Sequence, residues 1–364
     1  MARADAHPAG WRAVVRAQFE PPPDEALLLH AAFAPDDRFD QAYAAWAERV
    51  GTTPSPASFP LLQLLAPRLR GRAAGDPLAD LCRRQYRLVW AKTQLLERRH
   101  AAILALLDRA GIPCLVLKGA ALQPLYYRDP GLRAMGDLDL LVRPERFADA
   151  MACLLDAGWR SETFARPRDF DIRFGRAVGL VNHGGDLVDL HAHMFHKRVD
   201  WTAATRLAWA DVRPLTIGGV AAKTLSPGLQ LIHQIEHATA DLDRNSRWIA
   251  DGLMLIRAGA IEWARLKQDS VALDIDPLVA EGLLVLRGFG AVIPDAALVP
   301  AAEGSDALGR TTHAPPSRRG RLRFHADAVR HAARHSDTSV LRLLPHYLGF
   351  LLAKRGSGRK SEED

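Results

Sequence analysis

The sequence predicts an α/β (α+β) protein: a small mixed β-sheet core flanked by N- and C-terminal helical segments. Three observations carry that reading. Helical periodicity near 3.6 residues dominates up to residue 110, short β-rich runs crowd residues 111–225, and helical periodicity returns from Ser226. Helices, then strands, then helices argue for one sheet-bearing core inside helical wrapping.

Composition narrows the class. The 364 residues are 48% hydrophobic, ample for a packed core and unlike a disordered chain. No apolar run approaches the ~18 residues of a membrane span, and residues 1–25 lack the apolar stretch of a secretory signal. Basic residues number 48 against 42 acidic ones, a net charge of +6 that permits a phosphate-rich ligand without demanding one. Of the 48, 41 are Arg and 7 are Lys, which makes each lysine conspicuous. The three cysteines are Cys82, Cys114 and Cys153, an odd number with no CxxC spacing. A disulfide framework and an all-cysteine zinc site are excluded, and a reducing, cytoplasmic location is expected.

The N-terminal helical segment spans 1–110. Prolines 21–23, 54, 56 and 60 divide short helical pieces. A long amphipathic helix is then expected over 76–110, with Asp76 as N-cap and Pro77 at the first helical position. Leu88, Leu95, Leu96, Ile103, Leu104 and Leu107 should form its apolar face, and Gly111 and Pro113 stop it. In the core, 111–225, strands are expected at 114–117, 137–142 and 187–193, with a helix over 144–155 ended by Gly158. Shorter β-like pieces at 177–181 and 212–217 complete the sheet. The C-terminal helical domain, 226–354, contains a turn-rich break at 303–320, and residues 355–364 read as a disordered polar tail.

The chemistry centres on carboxylates. Asp137 and Asp139 are two apart in a strand, so their side chains share a face. Two adjacent carboxylates repel unless a cation lies between them, and oxygen ligands favour Mg²⁺. A surface strand with two solvated acids is the plainer alternative, opposed by the apolar continuation Leu140-Leu141-Val142. Asp189, between Val188 and Leu190 in another expected strand, supplies a third acid. Three such groups suit a two-ion site for phosphoryl transfer. Lys118-Gly119 follows a strand and opens a helix, where backbone N–H groups can approach phosphate and Lys118 can add a point charge. An ordinary strand-to-helix turn would look the same. Arg128 and Arg133 precede the acids and can fork onto phosphate oxygens or remain solvated.

The stretch LVLKGAALQPLYYRDPGLRAMGDLDLLV resembles the nucleotidyltransferase superfamily of the DNA polymerase β type, and within it a branch of uncharacterised bacterial nucleotidyltransferases. Gly119 matches the turn glycine, Asp137 and Asp139 the paired metal ligands, Asp189 the later strand acid, and Arg133 the arginine of this branch. The likeness covers about residues 95–260 and extends to His233, His237 and the Arg247–Asp251 run. It departs from the superfamily at the turn, Lys-Gly-Ala rather than Gly-Ser, and in a longer spacing between Gly119 and Asp137. The resemblance implies a metal-dependent transfer of a nucleoside monophosphate from an NTP, ATP among them, to an acceptor hydroxyl. Pyrophosphate leaves. Asp137, Asp139 and Asp189 would hold two Mg²⁺ (or Mn²⁺) ions, and Lys118, Gly119, Arg133 and His191 would bind the nucleotide. The acceptor, a protein, an RNA or a small molecule, should be chosen by helices after Ser226 across a cleft from the acidic face. Nucleic acid enters only as acceptor, and no membrane is implied.

Other chemistries compete. His233-Gln-Ile-Glu236-His237 matches the inverted zincin pattern, a possible zinc hydrolase site. Asp189, His191 and His193 share a face in the manner of a metal hydrolase strand. Asp241, Asp243 and Arg244 form a polar end to the same helix, open to a substrate. Arg318 to Arg323 is a basic loop that either binds nucleic acid or is a solvated linker. A non-catalytic nucleotide-binding relative would keep the fold, though the retained trio of acids argues against it.

Overall fold

The computed structural model describes residues 11–71, 75–161, 176–195, 199–239 and 246–300. The turn-rich break, the basic loop, the polar tail and the Asp241–Arg244 run lie outside the described residues.

Helices α1 (Trp11–Phe19), α2 (Pro23–Phe33), α3 (Phe39–Val50) and α4 (Phe59–Leu62) precede α5 (Pro77–Arg109), a 33-residue helix. At 1.5 Å per residue α5 is about 50 Å long. Asp76 caps it as expected, its Oδ1 accepting from the N–H groups of Leu78 (3.0 Å) and Ala79 (3.1 Å). Gly111 ends it at φ +62°, where glycine has no steric penalty. One expectation is corrected: Leu88 and Leu95 are 63% and 48% exposed. The buried row is Val89, Thr93, Leu96, His100, Ile103 and Leu107, spaced by alternating threes and fours. Leu88 and Leu95 each lie one residue, about 100°, away from that row.

The sheet has seven strands in the order β3-β4-β5-β2-β1-β7-β6. They are β1 (Cys114–Val116), β2 (Asp137–Val142), β3 (Arg160–Ser161), β4 (Ala177–Val181), β5 (Leu187–His191), β6 (Val212–Ile217) and β7 (Val220–Leu225). The expected mixed sheet is therefore present, with β2 antiparallel to β1 and parallel to β5. Strands β3 and β7 carry weak sequence signals. β3 has two residues, and β7 follows a Gly218-Gly219 hairpin turn with Ala221, Ala222 and Lys223, residues of low β propensity.

Strand alternation sorts the sheet's two sides. Leu138, Leu140 and Val142 pack with Ile103, Leu104 and Leu107 of α5 and with Phe147, Met151 and Leu154 of α7 (Phe147–Asp156). On the other side Leu115 and Leu141 join the core of α9 (Pro227–Ala238) and α10 (Arg247–Arg257), through Ile232, Ile235 and Ile249. The short α6 (Lys118–Leu122) and α8 (Trp201–Ala210) lie between. Helices α11 (Trp263–Ala272) and α12 (Asp276–Gly288) follow. Helices before and after the sheet share one core, in which Leu28, Trp46 and Leu62 belong with Leu231, Leu253 and Leu283. Arg16 Nη2 reaches Glu281 at 2.9 Å, and Arg257 Nη2 donates to the Phe33 carbonyl at 2.6 Å. Among the described residues no helix is long and apolar enough to cross a membrane.

Candidate functional site

Parallel pairing of β2 with β5 sets Asp139 directly beside Asp189, and Leu141 beside His191. Same-face alternation then gathers Asp137, Asp139, Asp189 and His191 on the side turned toward α9. Asp137 stands exposed at the start of β2, Asp139 is buried, and the Asp189 side chain is 36% exposed. One carboxylate is therefore sunk into the protein and two face outward. Asp139, Asp189 and His191 offer ligand atoms that all lie within 4.8 Å of one another.

Two donors converge on Asp139 Oδ1: Lys118 Nζ at 2.6 Å and His191 Nε2 at 3.0 Å. Lys118 is the first residue of α6 and has φ +47°, a left-handed conformation that is unfavourable for a residue with a Cβ. The preceding N–H, of Leu117, donates to the Asp139 carbonyl at 2.9 Å, which ties this turn to β2. The His191 tautomer follows from its other neighbour. Arg176 Nη1 lies 3.4 Å from Nδ1, and a guanidinium only donates, so Nδ1 accepts and the proton resides on Nε2, facing Asp139. Complete burial, reinforced by Arg176 and Lys118, pushes the imidazole pKa down to about 4, so it is neutral at pH 7. His191 thus serves as a hydrogen-bond donor to a carboxylate.

The acids are electrostatically unequal. Burial would raise Asp139, but Lys118 and the His191 hydrogen bond hold it well below the ordinary carboxylate range. Partial loss of hydration against the sheet, then the negative charge of Asp139, pushes Asp137 and Asp189 up. Asp139, Asp189 and His191 are thus close enough to hold one cation, while Asp137 shares their face but stands outside that close set.

Arg133 and Gly119 sit differently. Arg133 is buried and donates to Asp251 of α10 through Nε (2.9 Å) and Nη2 (2.8 Å). The Tyr127 hydroxyl donates to the same carboxylate at 2.7 Å. Gly119 is buried beneath the arginine, and a Cβ there would stand 2.1 Å from Arg133 Nη1. The constraint that requires glycine is thus the crossing guanidinium. A small cavity beside this brace is lined by Gln63, Tyr127, Arg133 and Asp251 rather than by the three acids.

Among the described residues the histidine pattern on α9 gathers no third ligand for a zinc ion. The His233 and His237 rings stand 6.1 Å apart at 89°. Among the described residues they belong to no set of three donors with mutually close ligand atoms. Both His233 and Glu236 are buried, and His233 Nε2 has no hydrogen-bond partner. Burial and the Lys118 charge push the His233 pKa down to about 3, so this histidine is neutral at pH 7.

Sequence reasoning missed Tyr127 and Arg176 as members of this neighbourhood, and met Asp251 only as the end of the Arg247–Asp251 run, without its partner. The pairing had no local signal, because Arg133 is more than 100 residues from Asp251 and meets it only through tertiary packing. Arg176 had one: antiparallel pairing of Ala177 with His191 places it at the histidine's end of β5.

The site is thus a mixed sheet presenting an Asp-x-Asp strand beside a third strand acid, with a lysine turn against them. Residues 60–289 match the model of the uncharacterised nucleotidyltransferase family, and the chain belongs to that family. No curated protein matches the chain. Among solved structures, an antigenic nucleotidyltransferase-like protein from Paracoccidioides brasiliensis matches at 20% identity over 58% of this chain and 95% of that one. Its TM-score is 0.32, too low a likeness to transfer anything.

Proposed function

We propose that the chain is a metal-dependent nucleotidyltransferase, related to the DNA polymerase β type, that moves a nucleoside monophosphate from an NTP to an acceptor hydroxyl. The observation that carries this reading is the direct register of Asp139 with Asp189, which puts three carboxylates on one face beside a lysine. Asp137, Asp139 and Asp189 would hold Mg²⁺ or Mn²⁺. A divalent ion bound there would supply neutralisation of phosphate charge and a lowered pKa for the acceptor hydroxyl. The acceptor oxygen attacks the α-phosphorus, the bond from that phosphorus to the bridging oxygen breaks, and pyrophosphate leaves.

The chain's own residues would set this reaction up by positioning and charge. His191 fixes the orientation of Asp139 through its Nε2 proton. Lys118, held on the central acid of the cluster, is the cation that would meet the triphosphate, with the Gly119 turn beneath it. Arg133 contributes through Asp251, holding that turn against α10. The acceptor enters from the α9 and α10 side of the sheet. All three cysteines, Cys82, Cys114 and Cys153, are free thiols, which fits a reducing cytoplasm.

The test is transfer of label from each α-labelled NTP, with Mg²⁺, to the components of a cell extract. Wild-type protein should label an acceptor. Asp139→Asn should lower labelling by at least about 10²–10³-fold, the scale of losing one charge-stabilising group, while circular dichroism stays unchanged. Labelling that persists in both Asp137→Asn and Asp139→Asn would refute the assignment.

A further inference from the structure

The Lys118 ammonium sits inside the carboxylate cluster, and its position is built in rather than incidental. Its backbone is held at φ +47°, a left-handed conformation unfavourable outside glycine. Three contacts hold the turn there: the Leu117 N–H on the Asp139 carbonyl, Gly119 buried under Arg133, and the Nζ–Oδ1 ion pair at 2.6 Å. The side chain is only 17% exposed, so its charge is poorly screened.

The consequence falls on Asp139. In a two-ion arrangement the ions lie about 3.5–4 Å apart, close enough for a central carboxylate to give one oxygen to each. Asp139 is the central acid, flanked on the same face by Asp137 and by its register partner Asp189. Its Oδ1, however, already accepts from both Lys118 and the Nε2 proton of His191. One oxygen of the central ligand is therefore withdrawn from metal coordination. Charge counts the same way. Three carboxylates carry −3, and Lys118 with one divalent ion carries +3.

We infer that in the nucleotide-free protein Lys118 stands in for one of the two cations, so that the site takes a single divalent ion. This rests on the proposed use of the three acids as metal ligands. Lys118 is then a specificity-determining residue for cation number. A second ion can enter only where the ammonium has left Asp139.

Counting bound Mn²⁺ by electron paramagnetic resonance, without nucleotide, tests the inference independently of turnover. Wild-type protein should bind one Mn²⁺ per chain. Lys118→Met should bind two, and Lys118→Arg, which keeps the charge, should remain at one. Asp189→Asn should lose the wild-type ion, and circular dichroism establishes that each variant is folded. Two ions in wild type, or one in a folded Lys118→Met protein, would overturn the inference and leave the metal reading standing. No Mn²⁺ in either protein would overturn both.

Discussion

Two cation–aspartate pairs lie near one another in this molecule and do opposite things. Lys118–Asp139 and Arg133–Asp251 are both short (2.6 and 2.8 Å) and both have a nearly inaccessible carboxylate. Their surroundings differ. Asp251 meets only donors, two nitrogens of Arg133 and the Tyr127 hydroxyl, whose pKa burial and the Asp251 charge raise so that it keeps its proton. That pair is satisfied and sealed, and it braces the turn before β2 against α10. Asp139 instead sits beside two further acids, so its lysine balances a site that still carries excess negative charge. A buried ion pair with a saturated carboxylate braces the fold, whereas one beside further acids leaves charge that a ligand could balance.

That contrast can be broken most severely at the brace. Asp251→Ala leaves the Arg133 guanidinium buried without a counter-charge, and should cost about 3–5 kcal/mol. Urea denaturation would show it as a lower midpoint. The double variant Arg133→Met/Asp251→Leu should regain much of the loss, because no unpaired charge remains. Full stability in Asp251→Ala would show that the pair does not brace the fold.

A smaller effect is expected at Gly119. Gly119→Ala sets a methyl group against the Arg133 guanidinium, which is pinned at its far end by Asp251. A loss of about 1–3 kcal/mol follows, as for other overpacked sites. An unchanged denaturation midpoint would mean that the guanidinium can swing aside freely.

The smallest effect has the opposite sign. Asp189 has its pKa raised by burial and by Asp139, so ionising it in the folded protein is unfavourable. The penalty is fully present above the raised folded pKa and disappears as pH falls toward the unfolded value of 3.8. Asp189→Asn should therefore raise Tm slightly at pH 7, with the gain fading toward pH 4, while abolishing transfer. A lower Tm at pH 7 would show that Asp189 is held by favourable contacts.

Much of this was legible in the sequence. The N-cap and glycine stop of α5, the strands around 114–117, 137–142, 177–181 and 212–217, and the sharing of a face by Asp137 and Asp139 are local, and local rules of capping and alternation suffice for them. The exposed Leu88 and Leu95 were misread because a helix with extra leucines offers more apolar positions than one contact surface uses. Strand β7 was missed because its centre is Ala-Ala-Lys, and it pairs through its Gly-Gly turn rather than by propensity.

The sequence by itself determined the alternating pattern of β2, the acids it carries and the lysine turn in front of them, because side-chain direction in a strand follows from position alone. Only the tertiary structure decided which groups those acids meet. Register between β2 and β5 put Asp189 beside Asp139, and helix packing gave Arg133 to Asp251 and left Lys118 with the acids. Both are long-range choices, fixed by the burial of two faces of one sheet, and no spacing along the chain encodes them.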